Sequence, residues 1–543
     1  MPENEFNLLR EPWIPAMRPD GETEEVSLLD IFRRAPEFVQ LAGELPTQDV
    51  ALLRLLLAVL HTVFGRYDVD STYAPLHEGS GMHAEDALER WKALWDRGAF
   101  PMEVIGRYLL HYEDRFFLFH PERPFYQIPV LDKGTEYTIA KLNGELSESS
   151  NKIRLFPPRT GSGKTELTYG EAARWLLYVN AFDDSSSKPT QKGLDSPGVG
   201  WLGKLGLVTA VGNTLFETLL LNLALLRDGG DTLWGKEKPV WEEKVIRADE
   251  RVKVPIPDNP SQLLTLQSRR LLLKREGQQI VKYMLLGGDF YEEDDVYVEQ
   301  MTTWGNAAKK GSSKPQYYPK HHNPNRQLWR DFSALAVQTD TRRRPGIIGW
   351  LAKLALAYEG LIPRSLINIQ TAAVQYDGKN CSVENVFSDA VSFNVGLLND
   401  IDQSWTSRIL DAIKTADLLA EKAGQLAQNI AKAAGDSDGM SQKDGAMEQA
   451  YYRLDIPFRQ WLENIKPETS KSEASDDWWN TAQRNVRGLG RELVSQAGVN
   501  AFVGREITKN NKTQRYTAPE AYNRFLYYTS NREILKGGKN NGK

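Results

Sequence analysis

The sequence predicts an α+β fold: a large mixed domain over residues 1–389, followed by a four-helix bundle over residues 390–543. Three observations predict it. Before residue 390, strand and hairpin patterns alternate with two strongly apolar helical runs. After it, four segments carry helical periodicity and are joined by polar loops. The chain of 543 residues also exceeds the roughly 250 to 300 that one hydrophobic core serves. A hydrophobic fraction of 41%, with 14 Trp, 21 Tyr and 19 Phe, excludes a mainly disordered protein.

Taken in order, residues 6–15 form a short apolar segment with Pro12 and Pro15, which reads as an edge strand broken early. Residues 25–32 begin extended and become a helical turn. Residues 49–64 are apolar on nearly every face apart from Arg54 and His61. They predict a buried helix at the centre of the first domain, capped by Asp49 or Thr47, with His61 a core residue that has a hydrogen-bond partner. A second helix spans about residues 83–95. The aromatics of 116–119 and 123–127 read as core filling more than base stacking. Helix resumes from Tyr169 to Ala181. Residues 183–197 are poor in apolar side chains and read as a mobile surface loop. Residues 214–226 predict another buried helix, closed by Gly229 and Gly230. Residues 263–277 and 279–285 predict paired strands, residues 349–358 a short helix, and residues 376–383 a polar loop. The bundle helices are expected at 409–434, 447–464, 477–494 and 519–528, with 435–445 a loop and the tail 536–543 disordered.

Composition narrows the function. A net charge of −5 does not announce a free nucleic-acid binder, although a few local patches could still meet a phosphate chain. One cysteine, Cys381, forbids an intrachain disulfide and a cysteine zinc site, and seven histidines leave little for a histidine cluster; His321 and His322 read as loop residues. The N-terminus lacks a signal-peptide pattern, and no uncharged apolar segment of about 18 residues is evident, so a cytoplasmic chain with no membrane span is expected.

Three stretches carry possible chemistry. The first is 196–206, with glycines at 198, 200, 203 and 206 around Lys204. It reads either as a flexible turn or as a contact surface for a phosphate backbone, since glycine permits positive φ and close backbone approach. The second is 157–165, whose Gly163-Lys164-Thr165 imitates the end of a P-loop. The required earlier glycine is replaced by Pro158, so nucleotide hydrolysis is rejected; Lys152, Arg154, Arg159 and Lys164 leave a basic loop. The third is the basic, proline-broken region from Lys309 to Arg344.

Several segments together resemble a known family. Asn7-Leu-Leu-Arg-Glu-Pro-Trp-Ile-Pro15, the run from Gly200 to Leu223, Thr265-Leu-Gln-Ser-Arg-Arg270, Leu328-Trp-Arg330 and Ser392-Phe-Asn394 are similar, in this order, to the CasA family, the large subunits of the type I-E CRISPR surveillance complex Cascade. The resemblance implies a noncatalytic, RNA-guided DNA binder without a cofactor. Its N-terminal domain would read the protospacer-adjacent motif from the minor groove and pry the first base pairs apart. Its bundle would guide the displaced strand and contact the small subunits, and a separate helicase-nuclease would cut. The implied partners are guide RNA, target double-stranded DNA, the other Cascade backbone and small subunits, and that nuclease.

By the same resemblance, the glycine loop falls on Gly200, Gly203, Lys204 and Gly206. The wedge falls on Gly378, Lys379, Asn380, Cys381 and Ser382, with Asn380 where some members have glutamine. The hairpin lysine is Lys274, with Arg275 as the competing choice, and the anchor for the guide-RNA handle is Leu155, Phe156, Arg159 and Lys164. The zinc-binding cysteines of some members are missing. An enzyme acting on nucleic acid and a purely structural scaffold are the alternatives.

Overall fold

The computed structural model describes residues 5–148, 152–186, 188–244, 247–291, 298–307, 316–339, 342–358, 360, 366–399, 404–509 and 512–537. It is mixed helix and strand, and it divides into two units: Met1–Leu328 with Ala334–Leu361 and Ile367–Ala390, and Val391–Lys543 with Trp329–Ser333 and Ile362–Leu366.

In the first unit the segment expected as one broken strand is two strands. Glu5–Asn7 pairs with Phe117–Phe119, and Ile14–Met17 pairs with both Thr23–Val26 and Gln40–Leu41. A turn separates them, closed by Asn7 O accepting from the amides of Arg10 and Glu11. The central helix is Pro46–Phe64, buried along nearly all its length. It starts at Pro46, and neither Asp49 nor Thr47 caps it: proline needs no partner for its nitrogen at the first position, and Asp49 instead accepts from Gly43 N–H at 2.7 Å. The guanidinium of Arg54 inside it donates from its two terminal nitrogens to Glu299 at 2.9 and 3.0 Å. His61 is buried, but its Nδ1 has no partner, and burial pushes its pKa down to about 3, so it stays neutral. By length and composition this helix could cross a membrane, and here it lies inside the protein.

The other elements follow the expected order with shifted ends. The helices are Ala84–Arg97, Tyr169–Phe182 and Gly346–Ala357, the second opened by a Thr168–Glu171 capping box. The run 214–226 is helical only over Leu215–Asn222. Asn222 turns its amide onto the Ala210 backbone, accepting from N–H at 3.0 Å and donating to O at 2.6 Å, and Leu226 bridges to Leu233. Leu263 lies in a short helix, Pro260–Leu264, so the hairpin is Arg269–Glu276 with Gln279–Gly287, joined on its other edge by Thr135–Thr138. The aromatics Phe116, Phe125 and Tyr126 are in the core. The polar loop expected at 376–383 is the tip of a long hairpin, Leu366–Tyr376 and Val383–Asn394, whose first strand also pairs with Thr209–Val211. Of the basic region, Lys309, Lys310 and Lys314 lie outside the described residues. Arg343 pairs internally with Asp228 at 2.8 Å.

The second unit is built on helices Ser404–Ala434, Met440–Asn464, Lys471–Ser495 and Ala518–Tyr528. Its core takes Ile409, Ala416, Ala420, Leu454, Phe458, Trp478, Val486 and Phe525, the i, i+3/i+4 stripes of those helices. The loop expected at 435–445 is shorter, because helix starts again at Met440, after left-handed Gly439. A small hairpin, Arg505–Lys509 with Lys512–Tyr516, was not expected. The tail 538–543 lies outside the described residues.

Candidate nucleic-acid interface

The glycine stretch does not use the conformational freedom that its composition suggests: none of Gly198, Gly200, Gly203 and Gly206 has positive φ. Three of them are required by close approach. A Cβ on Gly200 would overlap the Ala181 carbonyl, one on Gly203 the Tyr376 hydroxyl, and one on Gly206 the Lys320 carbonyl. Only at Gly198 is there room, with Lys204 Cε nearest at 3.8 Å. Between them Trp201, Leu202 and Leu205 are buried, and Leu202–Lys204 forms a single tight helical turn. The stretch is a packed ledge, held from below by Gly206 O accepting from Thr303 N–H at 2.9 Å and by Trp201 Nε1 donating to Glu299 at 3.2 Å.

The hairpin tip is organised by Asp377. Its carboxylate accepts from Lys379 N at 3.1 Å, Cys381 N at 2.6 Å and Ser382 Oγ at 2.9 Å, and these bonds hold its pKa below the usual range. The backbone closes between Asp377 N and Ser382 O at 3.0 Å. Asn380 sits in the left-handed region at φ 56°, which asparagine tolerates better than most residues. Gly378, Lys379 and Asn380 are exposed.

These two features line one groove of about 610 Å³. Gly198, Trp201, Gly203 and Lys204 contribute from the ledge, Tyr376, Asn380 and Phe387 from the hairpin, and Tyr318, His321, His322 and Pro324 are among the other lining residues. The sequence reading placed the glycine loop and the wedge 180 residues apart, and the fold brings them together. It missed the aromatic and histidine contributors: nothing local marks Tyr318, which pairs with Gly305 in a strand ladder, or His322, whose Nε2 bonds Leu207 O at 2.9 Å beside the ledge.

The remaining predicted residues lie outside that groove lining. Lys274 shares the Glu136 carboxylate with Lys282, at 2.5 and 3.0 Å, so two half-exposed ammonium groups face one carboxylate. Arg275 is engaged internally with Glu5, with the Tyr169 hydroxyl at 3.0 Å and with the Phe119 ring at 4.4 Å. Leu155 and Phe156 are 90% and 93% exposed, unusual for large apolar side chains. Arg159 secures the base of their loop through Glu145 and Glu171 at 2.5 and 2.8 Å, and Lys164 pairs with Glu148 at 2.5 Å. Ser162–Thr165 is one helical turn, and among the described residues no strand leads into it, unlike a P-loop.

The expected mobile loop after residue 182 begins as a buried charge cluster. Asp183 and Asp184 are buried with Lys141, Lys188 and Arg269. Although burial raises carboxylate pKa values, Lys188, Arg269 and Lys141 hold Asp183 well below the usual range, and burial takes Lys188 down to about 8. A polar run reads as a surface loop unless its distant partners are known, and Arg269 is 86 residues away.

Known proteins share this fold. The family model described as CRISPR-associated protein Cse1 matches residues 7–489. The CRISPR-associated protein CasA/Cse1 of Thermus thermophilus is 28% identical over 505 residues, covering 89% of this chain and 90% of that protein. The crystal structure of Thermobifida fusca Cse1 covers 99% of both chains with a TM-score of 0.82 and 28% identity. Cse1 from Acidimicrobium ferrooxidans, at 24% identity, shares the fold with a TM-score of 0.77 over 97% of this chain and 99% of that one. The match over nearly the whole length, in sequence and in fold, means that the chain belongs to the CRISPR-associated Cse1 family, the CasA family that its sequence resembles.

Proposed function

We propose that this chain is the noncatalytic large subunit of the CRISPR RNA-guided surveillance complex Cascade, acting in the cytoplasm, and that it reads the protospacer-adjacent motif in duplex DNA and starts strand opening. The observation that carries this reading is the single groove lined by both the glycine ledge and the Asn380 hairpin. An exposed hairpin tip with a left-handed Asn at its apex has the shape of a wedge, and an amide there can both donate to and accept from base edges. Minor-groove readout is degenerate between A·T and T·A, so several motifs should be accepted. Separating the first base pairs costs roughly a few kcal/mol of stacking, which a wedge offsets before pairing with the guide contributes. Lys204 and the Lys274–Lys282 pair supply phosphate contacts that add affinity without sequence information.

In the same reading, the exposed Leu155–Phe156 loop seats the subunit against the guide-RNA handle and its neighbouring backbone subunit, with Arg159 and Lys164 shaping the loop from within. The helical unit contacts the small subunits and the displaced strand, and the assembled complex recruits a separate helicase-nuclease. The exposed loop alone would suit a pure scaffold, so the test must separate holding from reading. Short duplexes with and without a candidate motif are titrated into the guide-RNA complex, reconstituted with parent chain, without it, or with Asn380→Ala. Motif-dependent binding that needs the chain and weakens with Asn380→Ala at unchanged assembly is expected. Assembly with no motif preference in any sample leaves the scaffold.

A further inference from the structure

Both sides of the groove hang on one short segment, residues 182–186, that the proposed DNA contacts do not use. Towards the hairpin, Ser185 donates to Asn380 O from its backbone N at 2.8 Å and from Oγ at 2.7 Å, and Oγ also reaches Lys379 O at 3.2 Å. The Tyr376 hydroxyl, at the root of the hairpin, donates to Phe182 O at 2.7 Å. Towards the ledge, Asp183 O accepts from Gly200 N–H at 2.8 Å. The Arg269 guanidinium spans the two, with Nε on the Asp183 carboxylate at 2.6 Å and Nη2 on Gly198 O at 2.6 Å.

The segment is fixed from beneath by charges that have no access to water. The side chains of Asp183, Asp184, Lys141, Lys188 and Arg269 are each at most 4% exposed. Burying five charges is costly, and such a cluster holds only in the geometry that pairs them, which makes it a stiff reference point. Arg suits this better than Lys because a planar fork can hold a carboxylate and a carbonyl at once.

We propose that residues 182–186 form a strap that sets the spacing between the Asn380 hairpin and the glycine ledge, with Ser185 the positioning residue for Asn380 and Arg269 the positioning residue for Gly198 and Gly200. The proposal rests on the reading of that groove as the DNA site. Neither residue touches DNA; each acts through the wall that it holds.

The test uses the full chain and the reconstituted complex, with Ser185→Ala, Ser185→Thr, Arg269→Lys and Asn380→Ala. Ser185→Ala removes the hydroxyl, whose one proton is shared between the Asn380 and Lys379 carbonyls, and keeps the amide bond. Amide hydrogen exchange at 378–382 should then speed up about three- to tenfold, and strand opening, read with a fluorescent base beside the motif, should fall by a similar factor at unchanged assembly. Ser185→Thr should restore both. Arg269→Lys should loosen exchange at Gly200. Parent-like exchange and opening in Ser185→Ala, while Asn380→Ala impairs opening, overturns the strap. Faster exchange in Ser185→Ala, with opening at parent level in Asn380→Ala, supports the strap and removes the DNA-opening role of the hairpin instead.

Discussion

Gly203 and Gly198 are five residues apart and answer to different constraints. A methyl on Gly203 meets the Tyr376 hydroxyl, which is itself bonded to Phe182 O, whereas a methyl on Gly198 meets only the flexible end of Lys204. Gly203→Ala should therefore cost about 1–3 kcal/mol by overpacking, and Gly198→Ala should stay within about 0.5 kcal/mol of the parent. Urea midpoints of the two variants check this, and equal midpoints would refute the close-approach account. Asn380 separates shape from chemistry in the same way. Its φ of 56° suits glycine, so Asn380→Gly should keep chain stability while losing motif discrimination in duplex binding. Asn380→Val should lose about 1–2 kcal/mol as well, because a β-branched residue is strained there.

One helix of this protein ends where a side chain turns to a strand's backbone. Helix Leu215–Asn222 stops short of the apolar run that contains it because Asn222 completes the hydrogen bonding of Ala210, within the strand Thr209–Val211 that carries the chain on from the glycine ledge. Asn222→Leu matches the apolar run and suits a longer helix, yet it should destabilise the chain by about 2–4 kcal/mol, since it leaves the Ala210 N–H and carbonyl buried without their partner. Thermal melting measures this, and a more stable variant would show that helix propensity outweighs that bond. A hydrophobicity pattern cannot register such an end, because the deciding partner is an amide twelve residues back.

Across the molecule, two features act at long range. Trp329 belongs to the helical unit although it precedes Val391 by 62 residues: it stacks on Phe458 at 4.2 Å and donates Nε1 to Asp455 at 2.8 Å. Trp329→Ala should cost about 3–5 kcal/mol and speed hydrogen exchange in 404–495 more than in 46–64. Equal effects in both regions would contradict its membership. Glu237 is buried, and burial raises its pKa to about 7 against bonds from Ser261. The folded chain thus holds a proton that the unfolded chain gives up near pH 4.5, so this group's contribution falls as pH rises from about 4.5 to 7 and is level above. The loss is on the order of 3 kcal/mol. Glu237→Gln removes that slope: its stability relative to the parent should rise between pH 5 and pH 8, and a pH-independent difference would count against the buried, protonated carboxyl.

What the sequence determined by itself is local or cumulative: the mixed fold followed by helices, the buried central helix, a hairpin within 263–285 though not its starting residue, and the family, whose marks recur in order along the chain. Each rests on periodicity, composition or motif order, which neighbouring residues carry. The tertiary structure alone decided that Gly200, Gly203 and Gly206 serve close packing without positive φ, that Asn380 stands at a hairpin apex, and that Asp183 and Asp184 lie in a buried charge cluster. It also decided that Arg275 and Arg159 spend their charge on carboxylates within the chain. Arg269 reaches Asp183 across 86 residues, and Arg275 reaches Glu5 across 270. Steric contact and charge pairing act through space, and a linear pattern does not record which distant residue arrives.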